Sequence, residues 1–441
     1  MPERKHDDEL IKIKKRDIKE KPKKEKVKKE KIKKERPARV KSAPRARGVK
    51  LDFTEEAPEI NRYWLAISKR YRAAKYISIV LLCTFLLSMM IFQRENITYA
   101  NLVYLARDLD SDVEMNVGVY ASIPYERSMS YAFEMFRGRV GVAGTQGFSL
   151  YSQSGSQELA TKDLYASPRI EAGEKYALVW GAGERDYSVY TTIARVLTAE
   201  SEFDIEDGCV SDSGSYALLT KSKESRFMIN VYNESFKTVT TYYKDKLVMD
   251  IALDATGEHL AVASADVAGA SVTGELMIGK VGSEERVSFD FDGMMPLAVE
   301  YTDDGSLVML CDSGLVIFEG EKEKARVSFE GMTPGAFSIE GDIIAISFPT
   351  NATLSQNALK VFDTAGKAEY NIMINTKVTN VTTDGTAAVY AVGEGWATRL
   401  SLSDGKTLTG AVDTQVVGVL SPAGNLIVCT PDGTKTYFTD K

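Results

Sequence analysis

Three observations predict a mainly β fold, an eight-bladed β-propeller set behind one transmembrane helix and a disordered basic N-terminal arm. A glycine-led strand motif recurs eight times over residues 115–441. A single apolar run occupies residues 74–92. Charge is split around that run: residues 1–75 hold 27 Lys+Arg against 13 Asp+Glu, leaving 28 against 49 in the rest, so the overall charge of −7 hides a basic and an acidic part.

The first segment, 1–59, is mostly Lys, Arg and Glu with isolated Leu10, Ile11, Ile13, Ile18, Val27 and Ile32, and Pro22, Pro37 and Pro44 interrupt any helix. It cannot bury enough apolar surface to offset the entropy of ordering, so disorder is expected. Such an arm is most simply a solvated polycation beside an anionic lipid surface. Docking to a protein partner is the alternative. Binding of RNA or DNA phosphates has no aromatic interleaving or fold motif behind it.

Residues 60–75 mix apolar and basic side chains without a proline and place Tyr63, Trp64 and Tyr71 where a juxtamembrane amphipathic helix presents them to lipid headgroups. The next segment, 76–92, carries no charge and is just long enough to cross a bilayer core of about 30 Å. Lys69, Arg70, Arg72 and Lys75 precede it; Asp108, Asp110, Asp112 and Glu114 follow it in the linker 93–114. By the positive-inside rule, the N-terminus is cytoplasmic and the C-terminal domain is outside the cell membrane. A cleaved signal peptide fits poorly, because the run starts some 75 residues into the chain. A buried core helix is opposed by the flanking charge.

Cys83 falls in the span, leaving Cys209, Cys311 and Cys429 in or beside strand-like stretches, an odd number suited to buried thiols rather than a disulfide framework. No CxxC or Cys/His pair exists to hold a structural metal. An exported domain without disulfides fits a bacterial envelope, and the sequons at Asn96, Asn233, Asn351 and Asn380 are too common by chance to overturn that.

Past residue 115, short runs of Val, Ile, Leu, Tyr and Phe alternate with Gly/Asp/Ser turns. The recurring turn glycines are Gly138, Gly173, Gly214, Gly257, Gly305, Gly341, Gly385 and Gly424, spaced 35, 41, 43, 48, 36, 44 and 39 residues apart. That period belongs to a blade of four antiparallel strands, as in WD40 and quinoprotein-like propellers, with seven blades or a β-sandwich array as alternatives. Glycine supplies the positive φ of a tight turn, and the strand after it has the small and aliphatic side chains of a buried strand. The last copy runs out early, while an orphan strand at 116–122 precedes the first. Pairing the two closes the ring without an open edge.

This layout, with its Lys/Arg-rich head, Tyr63-Trp64, one span, Asn101-Leu102 and an exported propeller, resembles an uncharacterised family of single-pass membrane proteins of Gram-positive bacteria, a domain of unknown function. The resemblance covers roughly residues 60–441 and implies no activity, cofactor or site residues.

Residue chemistry points away from catalysis. His6 and His259 are the two histidines, and His259 sits where a repeat strand begins, suiting it to turn packing. There is no GxSxG elbow, GxxxxGK[ST] or strand-led GxGxxG. The carboxylates of residues 108–112 resemble a calcium loop, but Val113 and Val119 stand where such a loop needs glycine and a bidentate glutamate. No catalytic, cofactor or metal site is expected. Loops between second and third strands, longest at 263–274 and 348–357, converge on one end of a propeller. They bring Trp180, Arg185, Asp266, Asn351, Gln356 and Trp396 to a candidate binding face, with ordinary mobile loops and partly buried aromatics as the plainer account. The expectation is a binding scaffold for an envelope protein or glycan. The rival is a polysaccharide-active enzyme using carboxylates in the propeller channel, which a cluster of acidic groups with raised pKa would favour.

Overall fold

The computed structural model describes residues 58–92 and 119–438, apart from 270, 352 and 354. The arm, the linker 93–114 and its acidic 108–112 stretch lie outside those residues. The chain divides into two units. Helix α1 (Pro58–Phe92), which lies in the first unit as far as Phe85, runs unbroken through the expected juxtamembrane and spanning segments. Tyr76, Ile77, Ile79, Val80, Leu81, Leu82 and Phe85 are all exposed on it. Among the described residues no helix is long and apolar enough to cross a membrane; the side chains at 86, 87 and 89–92, the end of the apolar run, are not among them.

The second unit is the eight-bladed propeller: residues 131–160, 168–200, 205–244, 247–292, 296–328, 337–374, 380–411 and 418–437 form blades 1 to 8, each an antiparallel meander in chain order. Burial falls from inside outward. The second strands are almost wholly buried, as in Ser306–Cys311, Ala388–Gly393 and Leu426–Thr430. Fourth strands such as Gln157–Ala160 and Lys322–Ser328 are largely exposed and carry the charges. The core is therefore not one mass but eight inter-blade layers. Leu178, Tyr187 and Tyr216 fill the layer between blades 2 and 3. Val308, Phe329, Ile346 and Phe348 fill that between blades 5 and 6. Each fully buried large side chain contributes roughly 1.5–3 kcal/mol.

Seven of the eight turn glycines have φ between 58° and 92°. Gly173 is the exception, and its reason is space: a Cβ there would meet the Ser211 carbonyl oxygen of blade 3 at 2.5 Å. These turns also link blade to blade, with Glu174 N–H donating to Asp212 Oδ1 at 3.1 Å and Asp304 N–H to Asp342 Oδ1 at 2.9 Å.

Blade 8 has three strands, Gly418–Leu420, Leu426–Thr430 and Gly433–Tyr437. Residues 119–123, the described part of the orphan strand, lie along the last of these, so the ring closes with both ends of the domain. They do so without a strand ladder. Thr434 N–H donates to the Ile123 carbonyl at 2.9 Å. Side chains supply the rest: Ile123 N–H to Thr434 Oγ1 (3.1 Å), Ser122 Oγ to the Thr434 carbonyl (2.7 Å), and Thr436 Oγ1 to the Tyr120 carbonyl (2.8 Å). Gly433 is required there, since a Cβ would meet the Ile123 oxygen at 2.5 Å.

One loop expectation fails. Residues 263–274 belong to a long hairpin, His259–Ala268 with Ser271–Lys280, paired out to Ala268↔Ser271. Backbone pairing continues through Ala263, Ser264, Ala265, Asp266, Ser271 and Gly274, which break up the strand signal of Val267, Val272 and Thr273. The second loop holds, between Ile343–Pro349 and Asn357–Phe362.

Candidate binding face and the acid-lined channel

The hairpins between second and third strands and the connections between blades share one end of an antiparallel meander. The six expected residues fall on such hairpins in blades 2, 4, 6 and 7, but differ in what they present. Trp180 is only 3% exposed and packs in the layer between blades 2 and 3, so it belongs to the core. Arg185 is exposed, with Asp204 3.5 Å away. Asp266 is exposed, opposite Thr273 on the extended hairpin. Asn351 caps its own loop, its Oδ1 accepting from Ser355 N–H at 2.9 Å and its Nδ2 donating to Ser355 Oγ at 3.0 Å. The exposed Gln356 reaches Asn375 Oδ1 at 3.4 Å. Trp396 packs partly buried against the layer between blades 6 and 7. No contact joins these blades' residues into one site.

The same end carries a groove that sequence reasoning missed. It is a cavity of about 650 Å³ at blade 1, lined among others by Tyr125, Tyr131, Tyr151, Gln157, Lys162 and Leu164. Its wall, residues 124–128, is fixed before any ligand arrives: Ser128 Oγ lies 2.9 Å from Thr145 Oγ1 and accepts from Thr145 N–H at 2.8 Å. Tyr125 OH donates to the Thr430 carbonyl at 2.5 Å, and Arg127 pairs with Asp432 at 2.5 Å. Rings, amides and one lysine offer stacking and hydrogen bonding. Leu164 is 71% exposed beside it, and Met129, nearby in sequence, is 99% exposed.

The channel is the second feature. First strands of neighbouring blades touch around most of the ring, and six of them carry a carboxyl group: Glu134 in Tyr131–Phe136, Glu171 in Pro168–Ala172, Asp207 in Ile205–Val210, Asp250 in Leu247–Leu253, Glu300 in Pro296–Tyr301 and Glu340 in Phe337–Glu340. Burial inside the ring raises the pKa of each, to about 7 at Glu134 and about 8 at Glu300 and Glu340. Like charges add to this across the channel. Glu171 is pushed well up by Glu300, Asp207, Asp250 and Glu134 besides burial, and Asp250 by Asp207 and Glu300. Glu300 and Glu340 are nonetheless exposed, and the other four partly exposed, because the lumen they face is open to water. Backbone N–H groups oppose the rise at three of them: Met135 to Glu134, Gly208 to Asp207, and Ile251 and Val299 to Asp250.

The cysteines follow expectation. Cys209, Cys311 and Cys429 are buried free thiols with pKa raised by burial. His259 holds a turn, its Nδ1 3.2 Å from Asp254 Oδ2. Among the described residues no group of His, Cys, Asp or Glu is arranged to hold a metal ion.

No curated protein matches the chain. Solved structures share its fold: Sqt1 of Saccharomyces cerevisiae is 8% identical with a TM-score of 0.53, covering 72% of this chain and 98% of that one. BamB of Moraxella catarrhalis is 14% identical with a TM-score of 0.49, covering 72% and 96%. The Pan2 WD40 domain of Neurospora crassa is 9% identical with a TM-score of 0.45, covering 72% and 90%. At 8% identity the likeness to Sqt1 is one of fold alone. A family model matches residues 114–437, the whole propeller as described, and the chain accordingly belongs to the Family of unknown function (DUF5711).

Proposed function

We propose that this protein is a membrane-anchored propeller that works as a binding scaffold at a bacterial cell envelope, with the groove on blade 1 as its docking site for a protein segment or glycan. The observation that carries the reading is the groove itself: about 650 Å³, walled by a segment already locked in place and lined by rings, amides and a lysine. The exposed apolar row on α1 from Tyr76 to Phe85, with Lys69, Arg70, Arg72 and Lys75 just before it, supports a single span with the basic arm inside against anionic lipid. Crosslinking on intact cells followed by affinity capture tests this. The full chain should recover an envelope protein or wall glycan that Leu164→Asp with Gln157→Ala loses, and equal recovery from both chains removes the groove from the account.

A second reading has a specific observation in its favour. Carboxyl groups poised near neutrality are what a polysaccharide-active enzyme needs for general acid and base chemistry. Incubating the full chain with wall polysaccharide decides it: glycan cleavage that Glu300→Gln abolishes establishes the enzyme, and intact glycan excludes it.

A further inference from the structure

The groove on blade 1 lies beside the seam where blade 8 meets blade 1, and its polar groups are mostly spent on one another. Tyr125 OH donates to the Thr430 carbonyl. Tyr131 OH donates to the Pro431 carbonyl at 3.2 Å and accepts from Ser128 N–H. Gln157 Nε2 donates to Ser149 Oγ at 3.0 Å and reaches Tyr151 OH at 3.4 Å. Thr161 Oγ1 donates to Asp163 Oδ2 at 2.8 Å, and Asp163 also accepts from Tyr190 OH and pairs with Arg195. That ties down the wall around Leu164, as residues 124–128 are tied down.

What remains is an apolar surface with two free charges. Tyr125, Tyr131 and Phe133 pack ring against ring at centroid separations of 5.5 to 5.7 Å. Leu164 stands exposed at the groove, and Met129, close by in sequence, is almost wholly in solvent. Of the charged side chains in the lining, Arg127 is taken by Asp432. Lys162 and Glu126 are both exposed, and neither has an ion-pair partner among the described residues.

We propose that the groove takes a segment of a protein partner, one that brings large apolar side chains to Leu164, Met129 and the tyrosine rings, a carboxylate to Lys162 and a cation to Glu126. The assignment rests on the groove being a docking site at all, and it selects protein over glycan.

Hydrogen-bonding capacity decides between the two. A sugar carries a hydroxyl on most of its ring carbons, and each one that gives up water needs a partner in the site. In this lining the tyrosine, serine and threonine hydroxyls named above already have partners inside the protein, leaving Gln146, the Gln157 oxygen and the two free charges. Leu164 and Met129 offer no useful donor or acceptor, so sugar hydroxyls pressed against them lose water without replacement. Apolar side chains lose nothing there, and the unbranched methionine adapts to their shape. Lys162 and Glu126 then select among apolar segments, attracting opposite charges and repelling like ones. Because both walls are held in place beforehand, binding costs little ordering on this side of the interface.

Panning a phage-displayed random dodecapeptide library on the purified full chain in detergent micelles, with counter-selection on Leu164→Asp, tests the proposal. Enriched peptides should carry several large apolar side chains and an Asp or Glu. Their synthetic counterparts should bind Lys162→Glu about tenfold more weakly, and binding should return when the peptide's acid is replaced by Lys. Lys377→Glu, a charge reversal on the exposed connection after blade 6, should leave their affinity unchanged. No enrichment over Leu164→Asp, or peptides that bind Lys162→Glu as tightly as the wild type, would overturn the proposal. Binding of chitohexaose that Leu164→Asp with Gln157→Ala abolishes would overturn it too, yet would keep the groove as a docking site, so the two readings fail by different results.

Discussion

At the scale of single residues, the structure separates two reasons for glycine in a turn. Gly173 has no positive φ but lies under a neighbouring blade's carbonyl. Gly183 has φ +75° and open space around its missing side chain. Gly173→Ala should therefore force the backbone of blade 3 to shift, at about 1–3 kcal/mol. Gly183→Ala should cost about 1 kcal/mol, from the left-handed conformation alone. Denaturant titration of both variants checks the order. The thiols give a second prediction. Cys209, Cys311 and Cys429 should resist alkylation in the native chain and react after denaturation, and reductant should leave the melting temperature unchanged. Intact-mass measurement reads the alkylation directly. The expectation that Trp180 lines a binding face went astray at this scale too: its neighbours Leu178 and Val179 already mark a buried strand, and the indole continues it.

At the scale of the element, legibility depended on how loudly side chains announced pairing. Second strands such as YALLTK and SLVMLC were readable because apolar runs after a turn glycine have few alternatives to burial. The hairpin arm beyond Ala263 was not, since its Ala, Ser, Asp and Gly residues outnumber Val267, Val272 and Thr273 and read as a loop. The closing segment was recognised by elimination, as a strand without a blade, yet its bonds proved to be mostly side-chain ones, which no pattern of hydrophobicity encodes. Ile123, wholly buried in the layer between blades 8 and 1, anchors it. Ile123→Ala should cost about 2–5 kcal/mol and release residues 119–125 selectively, read by limited proteolysis. A substitution of similar volume on an exposed fourth strand, such as Leu408→Ala, should change stability by less than about 0.5 kcal/mol.

At the scale of the whole molecule, the blade number was written in the glycine period, whereas the channel was not. Its acids stand 4, 2, 7, 7, 5 and 1 residues before their turn glycines, because turn lengths and bulges differ from blade to blade. Several read as isolated charges in an apolar strand, as in YAFEMF and LVMDIAL, and only ring closure gathers them. One measurable consequence concerns salt. Repulsion across the channel is present when the acids are ionised, so about 1 M NaCl, with a Debye length of about 3 Å, should raise the melting temperature more at about pH 8.5 than at about pH 5. Equal shifts at both pH values would mean the channel bears no net charge. Finally, the seam joins Ile123 to Thr434, 311 residues apart in the chain. A contact of that separation cannot form until nearly the whole domain has left the ribosome, so the blades must be stacked while the ring is still a horseshoe. Chains truncated before Thr434 should therefore hold seven blades and an incomplete eighth with unsealed ends, exposing apolar layers that a holding chaperone recognises, and pairing of the strand Gly433–Tyr437 becomes the committing step of folding.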